Sequence, residues 1–276
     1  MLIQSTTMTL NLKNQMSDLL LSFILGLVQG LTEFLPISSS AHLLFPSLIF
    51  GSNDLGLYFD ISVHAGTLAA VIYYFKNEIF LMSKSIFLTD NSNENSNLLL
   101  YLVIATIPIV ILGFLFKDFI SQRIFSIESI AISNLVFASI LLLAFLKNKG
   151  KKTLINITLL SALFIGLFQC FALIPGASRS GTAITAGLLI GLSLKDASKF
   201  AFLLAIPTIL GALTLLALDL NNETVTFDFF NLSIGFLTSM IFAFLTIKIF
   251  LKVVEKIGMI PFVAYRVFLG IFLLII

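Results

Sequence analysis

Long apolar runs recur along this chain and are separated by short polar segments. Four of the runs extend over about 98–116, 130–146, 201–218 and 232–247, and none of them contains a charged residue. A helix needs roughly 20 mostly apolar residues to cross the hydrocarbon core of a bilayer. The pattern therefore predicts an all-α protein whose helices cross a membrane several times.

Two polar stretches rich in glycine and serine interrupt this pattern, one in each half of the chain. The motif Gly-Leu-Val-Gln at 26–29 returns as Gly-Leu-Phe-Gln at 166–169, an offset of 140. The cluster Pro-Ile-Ser-Ser-Ser at 36–40 returns as Pro-Gly-Ala-Ser-Arg-Ser at 175–180, an offset of 139 between the prolines. A period close to half of the 276 residues predicts two structural repeats.

Charges between the apolar runs predict the topology. Four lysines in 147–152 predict a cytoplasmic loop, and three acids without a base in 219–228 predict an outer loop. Three lysines in 248–256 then return the chain to the inside. This alternation requires the segment 154–192 to enter and leave the membrane on one side, as a re-entrant hairpin.

Each half is thus predicted to contain one re-entrant helical hairpin and three crossings. Because three is odd, the halves lie upside down relative to each other, and such inverted repeats place a binding site where they meet. The predicted division begins with a polar tail 1–18 and a first repeat 19–146. This repeat has its hairpin at about 19–50 and crossings near 57–75, 98–116 and 125–146. A basic loop 147–153 then leads to the second repeat 154–276, which has its hairpin at about 154–192.

Composition supports the membrane class and excludes others. Hydrophobic residues make up 58% of the chain and charged residues 11%, whereas soluble domains carry about 25% charged residues. The net charge of +2 gives no electrostatic basis for a nucleic-acid partner. The single cysteine, Cys170, lies in an apolar run and is interpreted as a small buried side chain.

The first polar stretch carries a carboxylate inside an apolar helix. Gln29 and Glu33 are four residues apart and share a helix face, and Pro36 ends that helix. A carboxylate in a membrane is costly unless it is partnered, so Glu33 is predicted to be functional; the alternative is that it only caps a helix turn or pairs with one base. His42 is a candidate general acid, base or nucleophile, or else a polar residue at a helix start.

The second polar stretch places an arginine among serines and glycines. Arg179 keeps its charge and needs an anionic partner in a membrane. Serine hydroxyls and backbone N–H groups at a helix start complete a cradle suited to phosphate. A purely structural ion pair between Arg179 and Glu33 is the alternative. The residues expected in the cradle are Gly176, Ser178, Arg179 and Ser180.

Other ionisable residues lie inside or beside the predicted crossings. For His64 the sequence leaves open whether it lines the same cavity or bonds to a backbone carbonyl. Arg266 is predicted to extend its charge toward the cytoplasm. Lys195, Asp196 and Lys199 are predicted to lie in a solvated loop.

Both polar stretches resemble the motifs of the undecaprenyl-diphosphate phosphatase family, known for bacitracin resistance. The resemblance is carried by Gly-Leu-Thr-Glu-Phe-Leu-Pro-Ile-Ser-Ser at 30–39, Pro-Gly-Ala-Ser-Arg-Ser at 175–180 and Ile-Pro-Phe-Val-Ala-Tyr-Arg at 260–266. It covers the chain from about residue 19. It implies an inverted-repeat fold that hydrolyses undecaprenyl diphosphate to undecaprenyl phosphate and inorganic phosphate, which recycles the lipid carrier for cell-wall polymers. It also implies a divalent cation (Mg²⁺ or Ca²⁺) and a multi-pass protein of the bacterial plasma membrane whose site faces the periplasm or cell exterior.

The resemblance assigns roles to the first stretch residue by residue. Glu33 matches the acidic residue that would hold the metal or activate the nucleophile, and Gln29 stands where the family allows Glu or Gln. Ser39 and His42 match residues proposed for catalysis.

In the second stretch, Ser178 and Arg179 match the family's phosphate-binding motif. Ala183 stands where the family usually has a threonine, so Thr182 is considered as its substitute in phosphate binding. The implied partners are the polyprenyl diphosphate and the surrounding membrane lipid, and a homodimer is left open.

A carrier is the rival class, because inverted repeats with broken helices are typical of secondary transporters. It would flip a lipid phosphate or move an anion, with Glu33 and His42 as a proton-coupling pair. A scaffold without a site is a third reading. The sequence leaves the attacking group open among water, Ser39 and His42.

Overall fold

The protein is represented by a computed structural model that describes residues 18–43, 55–87, 94–117, 126–219 and 228–275. Within these ranges the regular elements are helical apart from one isolated bridge, so the predicted all-α class is confirmed. The helices are α1 Asp18–Thr32, α2 Ser39–Leu43, α3 Gly56–Tyr74, α4 Lys76–Phe87, α5 Glu94–Leu115, α6 Ile127–Lys147, α7 Leu159–Gln169, α8 Arg179–Leu189, α9 Leu194–Asp219, α10 Phe229–Ile257 and α11 Ile260–Ile275.

Five of these helices, α3, α5, α6, α9 and α10, are long and apolar enough to cross a membrane. The sixth predicted crossing, α11, is shorter, with 16 residues, or about 24 Å of helix at the usual rise. The protein is therefore a multi-pass membrane protein. The predicted tail, the far arm of the first hairpin and most of the acidic outer loop lie outside the described residues.

The start of α9 corrects one prediction from the sequence. Lys195, Asp196 and Lys199 lie in the first turns of this helix and not in a loop. Ser193 explains the difference, because its hydroxyl accepts a hydrogen bond from Asp196 N and donates one to Asp196 Oδ2 at 2.6 Å. This N-cap, supported by the bond between the two side chains, starts a helix directly after the second hairpin.

The ends of the second hairpin meet. Lys152 N donates to Gly191 O at 3.1 Å, and Ser193 N donates to Lys152 O at 2.8 Å. The chain between them runs up α7, through a 3₁₀ turn at Cys170–Leu173, and back down α8. Its entry and exit therefore lie side by side, which fits the predicted re-entrant hairpin.

Each hairpin packs its first arm against a crossing helix of the other half. In α1, a Cβ atom added to Gly26 would lie 2.9 Å from Gly235 O in α10. In α7, a Cβ atom added to Gly166 would lie 2.5 Å from Ala105 O in α5. Small residues allow such close approach of helices in membranes. The exchange of partners fits the predicted inverted repeat, and α8 lies buried at the centre against α6, α7 and α9.

Candidate functional site

The two helix-breaking loops, 33–38 after α1 and 174–178 before α8, meet in the interior of the fold. Ser180 Oγ donates a hydrogen bond to Leu35 O at 2.8 Å. Arg179 Nη2 donates to Glu33 Oε1 at 2.9 Å. The polar stretches that the sequence separates by about half the chain therefore form one polar centre.

Both loops share an unusual backbone feature. Ser38 and Ser178 have positive φ angles of 70° and 72°, and they are the only such non-glycine residues in the described part of the chain. Each is followed by a serine two residues on, and both Oγ–Oγ distances, Ser38 to Ser40 and Ser178 to Ser180, are 3.2 Å. L-residues rarely adopt this conformation, which costs roughly 1–2 kcal/mol.

Ser38 and Ser178 are 140 residues apart, which is the same offset as that between the two Gly-Gln motifs. The prolines are 139 residues apart, so in this alignment Pro36 corresponds in position to Gly176 and not to Pro175. At offset 140, Ser39 corresponds to Arg179.

The carboxylate of Glu33 is held from three directions. Oε1 accepts from Arg179, while Oε2 accepts from Ser39 Oγ at 2.7 Å and from Gln29 Nε2 at 3.0 Å. The Glu33 side chain is only 8% exposed and that of Arg179 12%. The corresponding residues Ser39 and Arg179 thus bind the two oxygens of one carboxylate.

The guanidinium of Arg179 is positioned by three contacts. Besides Glu33, it donates from Nη1 to Ala201 O at 3.2 Å in α9, and its Cζ lies 5.6 Å from the ring centre of Phe34. A guanidinium has five N–H donors, and these two hydrogen bonds use two of them. Arg179 therefore keeps capacity to bind an anion beside its carboxylate partner.

A cavity of about 260 Å³ opens beside this ion pair. Its polar wall comes from the two loops and the helix starts that follow them, with one residue each from α3 and α9. Its other wall is apolar and comes from α5, α9 and the 3₁₀ turn after α7. Glu33, Ser38, Ser39, Ser40, His64, Ser178, Arg179 and Thr208 form the polar wall, and Ile109, Ala172, Leu173, Ile209, Ala212 and Leu213 form the apolar wall. A charged headgroup and an apolar chain would each find a matching surface.

Arg266 corrects a second prediction. It does not extend toward the cytoplasm but is fully buried. Its Nη2 donates to Gly176 O at 2.8 Å and to Ala177 O at 3.1 Å, and its Nε donates to Asn134 Oδ1 at 2.7 Å. A weaker 3.5 Å contact runs from Nη1 to Pro36 O. A charge inside a membrane helix is expected to face the bundle interior, and that signal could have identified Arg266 as the residue that ties both loops to α6 and α11.

The two histidines have different surroundings. His42 Nδ1 donates to Ser38 O at 2.7 Å, and its Nε2 accepts from Tyr265 Oη at 2.6 Å. His42 is buried and is not part of the cavity wall. His64 donates from Nδ1 to Asp60 O at 2.7 Å and also lines the cavity, so both interpretations of His64 hold together.

Three predicted phosphate-binding residues lie behind the cavity wall. Gly176 offers its carbonyl to Arg266, and Ser180 bonds to Leu35. Thr182 Oγ1 donates to Arg179 O at 2.9 Å, and Thr182 is 1% exposed. Ser178 does line the cavity, and its Oγ accepts from Gly181 N as the N-cap of α8.

The oxygen atoms at this site are too few to hold a cation alone, so a bound cation would take further ligands from a substrate. Among the residues that the structure describes, no group of three or more His, Cys, Asp or Glu side chains could hold a metal ion. Glu33 is the single acid of the cavity wall, and the buried Gln29 Oε1 beside it has no hydrogen-bond partner. Mg²⁺ is often bound through one or two carboxylates together with waters and substrate phosphates. The described residues therefore fit a cation that Glu33 and Gln29 would hold only in part, with its remaining ligands supplied from outside the protein.

Fold and site together define a multi-pass membrane protein with a polar centre, built around a carboxylate–guanidinium pair, buried between two broken helices. The model of the family described as bacitracin resistance protein BacA matches residues 22–272. The chain therefore belongs to the BacA family.

Curated relatives cover nearly the whole chain. The undecaprenyl-diphosphatase of Alcanivorax borkumensis is 45% identical over 256 residues, which is 92% of this chain and 97% of that protein. The undecaprenyl-diphosphatase of Saccharophagus degradans is 44% identical, over 92% of this chain and 96% of its own length. Undecaprenyl-diphosphatase 1 of Pseudoalteromonas translucida is 44% identical over 91% of this chain.

Proposed function

We propose that this chain hydrolyses undecaprenyl diphosphate to undecaprenyl phosphate and inorganic phosphate. The observation that carries the proposal is the Glu33–Arg179 pair, which joins the two loops beside a cavity with one polar and one apolar wall. The names of the relatives point to the same reaction. The product would return the lipid carrier to cell-wall polymer synthesis, and a raised level of the protein would confer resistance to bacitracin.

The headgroup and the prenyl chain would lie against different walls. Arg179, Ser178 and the first N–H groups of α8 would hold the phosphates, since intrahelical bonds begin only at Thr182 N and a helix start favours anions. The prenyl chain would follow Ile109 and Leu213 toward the lipid.

Glu33 would act as the base. Ser39 Oγ, or a water at its place, would attack the terminal phosphorus, and the proton would pass to Glu33 Oε2, which already accepts from Ser39. The bond between the terminal phosphorus and the bridging oxygen breaks, and undecaprenyl phosphate leaves. If Ser39 attacks, a second attack by water on the phosphoserine releases phosphate. Arg179 would stabilise the charge of the transferring group.

His42 would act as a positioning residue in this scheme. Both of its ring nitrogens bond to protein groups, and it lies outside the cavity wall. Its ring would fix the Ser38 carbonyl and hence the loop that carries Ser39.

A divalent cation, Mg²⁺ or Ca²⁺, would bind together with the substrate. Glu33 and Gln29 Oε1 are its proposed protein ligands, in keeping with the oxygen ligands that hard cations prefer. When bound, the cation would neutralise part of the diphosphate charge.

The site would open toward the outer face of the plasma membrane. The lysine-rich ends of α6 and α10 mark the cytoplasmic end by the positive-inside rule. Ile109 in α5 and Leu213 in α9 each lie six residues before the far end of their helix, about 9 Å by helix rise. The cavity would therefore lie in the outer half of the membrane. We also propose that the protein forms a homodimer, and light scattering of the purified protein would measure the mass of the assembly.

Phosphate release from undecaprenyl diphosphate by the purified protein tests the reaction. We expect release that EDTA stops and that Arg179→Ala lowers by about 10³-fold, the magnitude of losing a charge-stabilising arginine. Phe268→Leu, a change at an exposed side chain of α11, is the matched control and should keep full activity. Lipid flux in liposomes without phosphate release would instead support a carrier.

A further inference from the structure

A second groove lies at the lysine-rich end of the molecule, between α3, α4, α9 and α10. Its volume is about 330 Å³. Lys195 and Lys199 of α9 line it together with Lys248 and Lys252 of α10, and Glu78 of α4 is the single acid in its wall. We call these residues the lysine groove.

The lysines converge because of their spacing. Each pair is four residues apart and therefore lies on one face of its helix, and the two faces are turned toward each other. Lys199 is paired with Glu78 at 3.0 Å. Four lysines against one carboxylate leave an excess of three positive charges in the wall. Such a wall attracts an anion.

Helix lengths place the lysine groove at the membrane surface. Lys248 lies 19 residues after Phe229, the start of α10, which is about 29 Å of helix. The hydrocarbon core of a bilayer is about 30 Å thick. Tyr74, at the end of the 19-residue helix α3, lines the groove at the same level. Tyrosines favour this interfacial level, where lipid headgroups lie.

The groove continues into a lipid-facing apolar surface. On α3, Ile72 is exposed beside Tyr73, and on α10, Ile241, Leu245 and Ile249 are exposed. These two helices pack against each other along their length. An acyl chain that runs along this surface would bring its headgroup to the lysines.

We propose that the lysine groove binds the phosphate headgroup of an anionic membrane lipid, whose acyl chains lie along α3 and α10. The excess positive charge of the groove favours a phosphate group as the ligand. The adjoining apolar surface favours a lipid phosphate over a soluble phosphate. Lys199 and Leu213, which line the two sites on α9, are 14 residues apart, or about 21 Å along the helix. The lipid site is therefore separate from the catalytic cavity and does not rest on the proposed reaction.

Native mass spectrometry of the purified full chain with added phosphatidylglycerol measures this binding. The double variant Lys248→Gln/Lys252→Gln should weaken the lipid's affinity by about 25-fold, at roughly five-fold for each lysine near an anionic headgroup. The variant should keep its phosphate release, which shows that it is folded. Phosphatidylcholine, whose headgroup carries no net charge, should bind the unchanged protein far more weakly.

The matched control is Lys84→Gln/Lys256→Gln, which removes the same charge from exposed lysines of α4 and α10 that lie outside the groove wall. Its affinity for phosphatidylglycerol should stay within about three-fold, since exposed charges outside the site contribute little. Equal weakening by both double variants would overturn the proposal in favour of general surface charge. Competition by glycerol phosphate at the same concentration as the lipid would overturn it in favour of a soluble anion.

Discussion

The first and second loops, taken together with the starts of the helices that follow them (33–42 and 173–182), have the same backbone framework and different chemistry. Both contain a serine with positive φ and a pair of serine hydroxyls 3.2 Å apart. At corresponding positions, however, the first loop has Glu33 and the second Leu173, and the first has Ser39 where the second has Arg179. The shared backbone framework brings the two loops together. The residues that differ between them place a carboxylate, a hydroxyl and a guanidinium at one point.

Neither loop forms a site alone. Glu33 would be an unpaired carboxylate in an apolar environment without Arg179, and Arg179 would be an unpaired cation without Glu33, each at considerable cost. The apolar Leu173 in turn provides a lipid-compatible wall where a second carboxylate would repel the diphosphate.

Among the changes that test this comparison, Arg266→Leu is expected to have the largest effect, because Arg266 holds the second loop and also makes a weaker contact with Pro36 O of the first. Arg266→Leu removes the donors to Gly176 O, Ala177 O and Asn134 Oδ1. We expect phosphate release to fall by more than about 100-fold, since small displacements of a positioned group have this effect. Thermal unfolding should also occur at lower temperature, because buried acceptors are left unpaired. A folded Arg266→Leu protein with near-normal turnover would contradict this role.

A smaller effect is expected when the loops are made alike at one position. His42→Thr introduces the residue that the second loop has at the corresponding position, Thr182. We expect kcat/KM to fall by about 10-fold, as for the loss of one or two neutral hydrogen bonds. Tyr265→Phe, which removes the bond to His42 Nε2, should cause a loss of similar size.

The pair of variants separates positioning from chemistry. If His42→Thr abolished turnover while Tyr265→Phe left it unchanged, His42 would be the attacking group or the base, and its positioning role would be wrong.

The smallest effect concerns the shared backbone. Ser38→Gly should raise the free energy of unfolding by about 1 kcal/mol, because glycine adopts positive φ without steric cost. Ser178→Gly should gain a few tenths of a kcal/mol less, since it also loses the helix cap. Thermal unfolding in detergent measures both.

Ser38→Ala is the control, because it removes the hydroxyl and keeps the positive φ. Stabilisation by Ser38→Ala equal to that by Ser38→Gly would show that the backbone conformation carries no cost.

Much of the fold could be predicted because membrane helices are specified by local length and polarity. The runs that became α5, α6, α9 and α10 were visible as uncharged stretches. The meeting of Glu33 with Arg179 could also be anticipated, since each charge requires a partner in a membrane.

The rest depended on tertiary structure. Whether Arg266 turns outward or inward is decided by its neighbours, here backbone carbonyls that no side-chain motif reveals. Serine gives no signal of positive φ, so the equivalence of Ser38 and Ser178 was missed and the prolines were paired instead.

The most direct test of the central claim, that both loops form a single site through Glu33, is a double-mutant cycle across them. It combines Ser39→Ala in the first loop with Arg179→Lys in the second and measures kcat/KM for phosphate release. Because both residues bind the same carboxylate, we predict that the loss in the double variant departs by more than about five-fold from the product of the single losses. Losses that multiply to within about two-fold, as for independent sites, would contradict the account.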